Sequence, residues 1–236
     1  MSSSARPRLV LWDIDGTLVN TAGLGRAAFA EAFADVVGRP PAPELVPMAG
    51  RTDHEIALAI LERNGVDGAE RHLPAFAEAL AARLAEKEAE IRARGHAFPG
   101  AREALAELDR RGVRQSLLTG NIEPNAALKL AAFGLGAELD FEIGAYGSDH
   151  HVRAELVRIA ARKARAKYGL EFELVLVGDT PLDIAAARAG GAAVVAVATG
   201  PHPAEELTDA DAVLADLRDT AAAVEAILTA RAAPRA

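Results

Sequence analysis

The fold of this chain follows from residues 9–19, which read Leu9-Val10-Leu11-Trp12-Asp13-Ile14-Asp15-Gly16-Thr17-Leu18-Val19. The first four residues are apolar, and so short an apolar run is typical of a strand buried on both faces. Two carboxylates follow at Asp13 and Asp15, before the strand stops at Gly16-Thr17. Two carboxylates about 4 Å apart repel by about 4 kcal/mol at an effective dielectric constant of about 20, so the pattern predicts a cation between them.

The ligands offered by this stretch are carboxylate oxygens, and the chain contains no cysteine. Oxygen ligands without sulfur favour a hard cation, which makes Mg²⁺ the expected ion. The alternative is that Asp13 and Asp15 only form a turn after an edge strand, as Asp-Gly pairs often do. Two later stretches of the sequence argue against that alternative.

The composition excludes several classes of protein. The chain has 236 residues, of which 50% are hydrophobic, enough to bury a core as one domain or two. Its net charge of -8 argues against nucleic acid or an anionic membrane as the main partner. No apolar run is long enough to span a bilayer, and the polar start Met1–Arg8 does not resemble a signal peptide. A cytoplasmic protein without disulfides or thiolate metal sites is therefore expected.

The residues between Val19 and Phe98 show helical periodicity and no readable strand. The predicted helices are one ending at Gly38, one beginning at Thr52 or Asp53, and a long one over residues 69–94. Pro74 lies within the long helix, and the alternatives are that it starts this helix later or splits it. This pattern predicts that residues 20–97 form an inserted all-helical cap domain. Residues 1–19 and 98–236 would then form the core.

From Phe98 onward, helices alternate with short apolar runs. Those runs predict strands over residues 113–118, 141–145, 174–177, 193–198 and 212–214. Repeated strand–helix units of this kind form a mostly parallel, doubly wound α/β sheet with helices on both faces. Asp13, Thr119 and Asp179 each follow a predicted strand, and ligands bind beyond the carboxyl ends of such strands. We therefore expect these three side chains to meet at one edge of the sheet.

Three stretches carry a family resemblance: Asp13-Ile14-Asp15-Gly16-Thr17-Leu18-Val19, Thr119-Gly120-Asn121 and Gly178-Asp179-Thr180-Pro181-Leu182-Asp183. In their order and spacing they resemble the haloacid dehalogenase-type hydrolase superfamily, and most closely its phosphoglycolate-phosphatase-like branch. The resemblance implies a Rossmann-like sheet with a helical cap. It also implies Mg²⁺-dependent hydrolysis of phosphate monoesters, with a small phosphorylated metabolite as the partner.

The resemblance also implies roles for the acidic residues. Asp13 would be the nucleophile that forms an aspartyl-phosphate, and Asp15 the general acid and then the general base. Mg²⁺ would be held by the Asp13 carboxylate, the Asp15 backbone carbonyl and Asp179. Asp183 would join this set directly or through water, although an acidic residue there also suits a helix N-terminus.

Phosphate binding is expected at the second stretch. By resemblance, the Thr119 hydroxyl and the backbone N–H groups of Gly120 and Asn121 would bind phosphate oxygens at the start of a helix. The cation for the phosphate is less clear, because the Lys-Pro pair of related phosphatases is missing near Arg153. Two candidates remain: Lys129, which we favour for the phosphate, and Arg153, which we expect to form a supporting ion pair.

Other candidates lie outside these stretches. The loop Gly50-Arg51-Thr52 resembles a cap loop that closes over substrate, which makes Arg51 a specificity candidate, although most surface arginines are only solvated. His150 and His151 are expected to be loop residues. Neither the substrate nor the choice between monomer and homodimer can be read from the sequence.

Other functions remain open at this point. A phosphosugar mutase of the same superfamily would keep Asp13 and Asp15 but would not lose the phosphoryl group to water. A dehalogenase is disfavoured because its chemistry would leave the metal site without a use. Phosphate-accepting receiver domains are about half this length and lack the helical insertion, and a catalytically silent binding protein would not need the full acidic set.

Overall fold

The computed structural model describes residues 6–44 and 46–232, and a five-stranded parallel sheet lies at its centre. In chain order, the strands are β1 (Arg8–Trp12), β2 (Val19–Asn20), β3 (His96–Ala97), β4 (Arg114–Leu117), β5 (Glu173–Gly178), β6 (Ala193–Val197) and β7 (Ala212–Leu214). The sheet has the order β4-β1-β5-β6-β7, and each neighbouring pair is parallel. The predicted doubly wound α/β fold is confirmed.

Helices cover both faces of this sheet. Those beside the sheet are α5 (Ala101–Arg110), α6 (Glu123–Ala132), α7 (Arg153–Tyr168), α8 (Pro181–Gly190) and α9 (Thr220–Thr229). The other α-helices of the described residues are α1 (Leu24–Val37), α2 (Asp53–Arg63), α3 (Leu73–Glu86) and α4 (Glu88–Arg94). Side chains alternate along β1, so that Val10 and Trp12 join the apolar cluster with α5 and α9. Leu9 and Leu11 point the other way, into the cluster with α7 and α8. None of the described helices is both long and apolar enough to cross a membrane.

The helices α1 to α4 form a third apolar cluster, separate from the two beside the sheet. Antiparallel pairing of β2 with β3 places the two ends of this helical region side by side. Between β2 and β3, the described residues form helices, turns and loops. The helical character predicted for this segment is observed, but the absence of strands is wrong at its two ends, where β2 and β3 form a short pair. A separate cap domain over residues 20–97 stays a prediction.

The long helix predicted over residues 69–94 is wrong, because the segment is broken twice. Residues Ala69–His72 form a 3₁₀ turn, and α3 starts after it with Pro74 in its first turn, where a missing N–H costs no hydrogen bond. At Lys87 the backbone leaves helical geometry, and the Lys87 Nζ pairs with Glu31 Oε1 at 2.6 Å. This second break lets α4 turn so that Ile91 is fully buried.

The strand predicted over residues 141–145 is also wrong. Asp140 accepts a hydrogen bond from the backbone N–H of Glu142, and a 3₁₀ turn forms over Phe141–Ile143 instead. Only Ala145 pairs with the sheet, through an isolated parallel bridge to Leu118. The apolar residues predicted the burial of this segment but not its backbone conformation.

Candidate active site

The ends of three parallel strands bring the predicted polar residues together. Asp13 follows β1, Thr119 lies two residues after β4, and Asp179 follows β5. Because the strands are parallel, all three residues lie at the same edge of the sheet. They line a cavity of about 460 Å³. Six other predicted site residues also line this cavity: Asp15, Arg51, Gly120, Asn121, Lys129 and Arg153.

Three buried carboxylates form a cluster here, and two of them, Asp13 and Asp179, line the cavity. Oxygen atoms of Asp13, Asp179 and Asp183 all lie within 4.8 Å of one another. Burial raises the pKa of Asp13 to about 6, against the opposing effect of Arg153. Burial also raises the pKa of Asp179 to about 9, and the neighbouring Asp13 and Asp183 raise it further in the same direction. With all three carboxylates ionised, the cluster would therefore carry more negative charge than Arg153 neutralises.

The donor set around Asp179 fits a hard divalent cation. Thr17 Oγ1 donates to Asp179 Oδ1 at 3.0 Å. A Cβ atom at Gly16 or Gly200 would overlap the Asp179 carboxylate. The lack of a side chain at these two positions is therefore what allows the carboxylate to lie between them. Gly16 also has a positive φ of 85°, a conformation that favours glycine. With carboxylate oxygens as the available ligands, the chemistry matches Mg²⁺ better than a softer metal.

Arg153, the first residue of α7, lies between two of these carboxylates. Its Nη2 is 2.9 Å from Asp13 Oδ1 and 2.5 Å from Asp183 Oδ1. The other oxygen of Asp183 accepts hydrogen bonds from the backbone N–H and the hydroxyl of Thr180, at 3.1 and 2.7 Å. Asp183 thus takes part in a capping box at the start of α8 and also in the carboxylate cluster. The helix-start interpretation of Asp183 is thus confirmed, and its role in metal binding stays a prediction.

Lys129 belongs to a different group of contacts. Its Nζ lies 2.6 Å from Asp15 Oδ2 and 2.6 Å from Asn121 Oδ1. Asn121 Nδ2 donates to Asp15 Oδ2 and to Thr119 Oγ1, both at 2.8 Å. The structure thus separates the two candidate cations, since Arg153 contacts the predicted nucleophile whereas Lys129 contacts the predicted general acid. The sequence shows that Lys129 lies on the helix after Thr119, but this does not indicate whether it contacts Asp13 or Asp15.

Arg51 lies at the other side of the cavity, in the loop before α2. Its guanidinium donates to the backbone carbonyls of Pro47 at 3.3 Å and Glu55 at 3.4 Å. Within the described residues it makes no ion pair with a carboxylate. His150 and His151 lie in the loop before α7, as expected, with their rings stacked at 4.6 Å between centroids.

Two features of the site were not identified from the sequence. Thr199-Gly200 follows β6 at the same edge of the sheet, where Thr199 Oγ1 donates to the Gly16 carbonyl at 2.5 Å. Its place after a fourth buried strand was the signal that could have identified it. Asp53 is the second feature: it is 7% exposed and lines the cavity from the helical region. In the sequence it has the pattern of an ordinary helix-start residue.

Comparisons with known proteins agree with this geometry. The model of the haloacid dehalogenase-like hydrolase family matches residues 10–188. The phosphoglycolate phosphatase 1 of Pseudomonas aeruginosa is 31% identical over 201 residues, which cover 82% of this chain and 70% of that protein. The solved structure of a hydrolase from Pseudomonas syringae has a TM-score of 0.68 at 21% identity and covers 94% of this chain and 99% of that one.

A further relative has a different name. The tyrosine-protein kinase PtkA of Mycobacterium tuberculosis is 31% identical over 200 residues, which cover 84% of this chain. The chain spans 65% of the length of that protein. The shared part therefore covers most of this chain but not the whole of the relative.

Proposed function

The chain belongs to the haloacid dehalogenase-like hydrolase family, and on that basis we propose that it is a Mg²⁺-dependent phosphatase of small phosphate monoesters. One observation carries the proposal. Asp13, Thr119 and Asp179, which are far apart in sequence, line one cavity, and Arg153 forms an ion pair with Asp13 there. A nucleophile, a cation and a group that binds phosphate are thereby within reach of one substrate. Relatives named phosphoglycolate phosphatase support the same reaction class.

The reaction uses Asp13 as nucleophile and Asp15 as acid and base. An oxygen of Asp13 forms a bond to phosphorus while the bond from phosphorus to the ester oxygen breaks. Asp15 gives a proton to that oxygen, so the leaving group departs as an alcohol. Water then attacks phosphorus and gives its proton to Asp15 as the bond to Asp13 breaks. Inorganic phosphate leaves, and both carboxyl groups return to their first state.

Asp13, Asp179, Asp183 and the Asp15 backbone carbonyl would hold Mg²⁺, which supplies charge neutralisation for the phosphate when bound. Asp183 has hydrogen bonds from protein donors on both oxygens, so we propose that it acts through water and by orienting Arg153. Phosphoryl transfer depends mainly on positioning and on neutralising charge. Buried carboxylates with a buried arginine between two of them provide that setting.

Phosphate oxygens would be bound between the start of α6 and Arg153. Thr119 is fully buried and follows the sheet, and its Oγ1 is held by Asn121. Backbone N–H groups at the start of a helix bind anions well, and α6 begins directly after Thr119-Gly120-Asn121-Ile122. We propose Arg153 as the phosphate cation, because it already contacts Asp13, and we assign Lys129 to Asp15 instead.

The test is the turnover of p-nitrophenyl phosphate with Mg²⁺ by the wild type and by Asp13→Asn. The variant keeps the shape of the side chain but lacks a nucleophilic carboxylate, so we expect a loss of at least about 10³-fold. Asp67→Asn changes an exposed aspartate outside the cavity and should keep full activity. Retained turnover in Asp13→Asn, with an unchanged melting temperature, would refute the nucleophile.

Two other activities, those of a mutase and of a kinase, can be tested with the same purified protein. A phosphosugar mutase would keep the phosphoryl group, so release of phosphate over many turnovers without a bisphosphate activator excludes it. The relative named tyrosine-protein kinase raises the question of transfer to tyrosine. Incubation with ATP and a tyrosine-containing peptide decides it, and we expect no phosphorylated peptide.

A further inference from the structure

Asp53 belongs to the helical region but contacts the core. It is the first residue of α2, and its carboxylate is buried. The backbone N–H of Ile122 donates to Asp53 Oδ2 at 2.9 Å, and the backbone N–H of Asp53 donates to the Gly120 carbonyl at 2.7 Å. One residue of the helical region thus forms hydrogen bonds on both sides of Asn121.

Two glycines let these chain segments touch. A Cβ atom at Gly120 would overlap the carbonyl oxygen of Arg51, and a Cβ at Gly147 would overlap the carbonyl oxygen of Gly120. The loop that carries Asp53 therefore packs backbone to backbone on the loop that starts α6. Thr52 adds a hydrogen bond from its Oγ1 to the His151 carbonyl at 3.1 Å. These contacts fix Asp53 relative to the start of α6.

The helix α6 lacks a cap from its own sequence. The N-cap position is Ile122, whose apolar side chain cannot accept a hydrogen bond, and no local side chain caps the helix. Asp53 places its carboxylate at this helix start, where a negative charge is favourable. Asn121 directly precedes this start and Lys129 lies within α6, and both contact Asp15.

We propose that Asp53 is a positioning residue, which fixes the start of α6 and thereby holds Asn121 and Lys129 against Asp15. This inference rests on the proposed function, since it assigns to Asp53 an effect on proton transfer by Asp15. Asp53 does not touch Asp13 or the carboxylate cluster in any described hydrogen bond or ion pair. Its loss should therefore impair protonation of the leaving group more than attack on phosphorus.

The experiment compares two esters in Asp53→Ala. The p-nitrophenolate ion leaves without a proton, whereas the alkoxide of glycerol 2-phosphate needs one. General acid catalysis contributes about 10²–10⁴-fold, so a misplaced Asp15 should cost at least about tenfold in kcat/KM on glycerol 2-phosphate and less than about threefold in kcat/KM on p-nitrophenyl phosphate. We compare kcat/KM because it reports the steps up to formation of the aspartyl-phosphate, whereas the later hydrolysis, in which Asp15 is the base, is common to both esters. Asp53→Asn retains an oxygen that can accept from Ile122, and it should recover most of the lost rate.

Asp219→Ala is the matched control. Asp219 caps α9 through a hydrogen bond from Ala222, far from the cavity, so its loss tests the effect of a missing helix cap alone. We expect this variant to treat both esters as the wild type does. Equal losses on both esters in Asp53→Ala, or no loss on either, would overturn the inference.

Amide hydrogen exchange separates this inference from the proposed function. In Asp53→Ala, exchange at the amides of Ile122, Asn125 and Ala126 should become at least about tenfold faster, while exchange in α9 stays unchanged. Unchanged protection at the start of α6 overturns the inference, whatever the activity. A wild type that hydrolyses neither ester refutes the phosphatase, and the exchange result then decides whether Asp53 positions α6. Should Asp53→Ala fail to fold, Asp53→Ser, which shortens the side chain but keeps an acceptor, takes its place in both measurements.

Discussion

The two halves of the cavity are built on different principles. The buried half consists of Asp13, Asp179, Asp183 and Arg153, and the side chains of Asp13 and Arg153 are each 7% exposed. The other half, which we call the exposed half after its acidic residue, consists of Asp15, Asn121 and Lys129; the Asp15 side chain is 44% exposed, whereas Asn121 and Lys129 are buried. Every member of the buried half comes from the end of a strand or the first turn of a helix beside the sheet. The exposed half depends on α6, whose start is held by the helical region.

This difference in exposure fits the chemical role proposed for each half. In a buried site charge interactions are strong, so the carboxylates there require cations and can in turn hold phosphate and metal. A group that exchanges protons with a leaving alcohol or with water needs access to both. The Asp15 side chain has that access to solvent. Hydrogen bonds from Asn121 and Lys129 fix its position.

Removal of the cation from each half should have very different effects. Arg153→Ala leaves buried carboxylates unpaired, so we expect a loss of about 3–5 kcal/mol in the free energy of unfolding. Loss of a preorganised charge at the reacting phosphate should lower kcat by at least about 10²-fold. Lys129→Ala should lower kcat by only about tenfold, because it affects Asp15 indirectly.

The measurements for this pair are urea unfolding and turnover of p-nitrophenyl phosphate. Arg158→Ala, which removes an exposed arginine of α7 from its ion pair with Glu155, is the control for changes to that helix. A larger loss of kcat in Lys129→Ala than in Arg153→Ala would reverse the assignment of the two cations and restore Lys129 as the cation for the phosphate.

Metal binding should stabilise the buried half alone. At a Mg²⁺ concentration about 100 times its dissociation constant, binding adds about 2.7 kcal/mol, which raises the melting temperature by about 5–10 °C for a chain of this size. EDTA should reverse the rise. In Asp179→Asn we expect no rise with Mg²⁺ but a higher melting temperature without it, because one of the crowded carboxylates has become neutral. An equal rise in both proteins would contradict the metal site.

The stability that Asp53 contributes at the start of α6 should depend on pH. Burial raises the pKa of Asp53 from 3.8 to about 6, although Lys129 opposes the shift. The folded state therefore holds this proton more tightly than the unfolded chain does. Its stabilising effect is complete below about pH 4 and is lost as the pH rises through about 6.

The Asp53→Asn variant has no titratable group at this position. Comparing it with the wild type therefore separates the pH dependence due to Asp53 from that due to other buried carboxylates. From about pH 4 to about pH 7, the free energy of unfolding of the wild type should fall relative to that of Asp53→Asn by at most about 3 kcal/mol. Urea unfolding at several pH values gives the difference. Parallel curves for the two proteins would show that Asp53 has an ordinary pKa in the folded state.

The sequence predicted the buried half better than the exposed half. Asp13, Thr119 and Asp179 follow apolar runs, and the parallel arrangement alone places such residues at one edge. The contact of Lys129 with Asp15 depends on where α6 points, and the contact of Asp53 with Ile122 joins residues 69 positions apart. Neither contact has a local pattern. The errors in secondary structure have local causes that periodicity does not detect, namely the capping of a 3₁₀ turn by Asp140 and the break at Lys87.

Pairing of β2 with β3 has a practical consequence for exchanging parts between relatives. Val19 lies opposite Ala97, so a foreign helical segment could be grafted between these points without stretching the backbone. The graft would bring its own pocket wall and hence a different leaving-group preference. It would keep the full rate on alkyl phosphates only if it also supplied an acceptor that reaches Ile122, because the recipient cannot cap α6 by itself. Chimeras that carry an aspartate at the position of Asp53 should therefore hydrolyse such esters faster than otherwise identical ones without it.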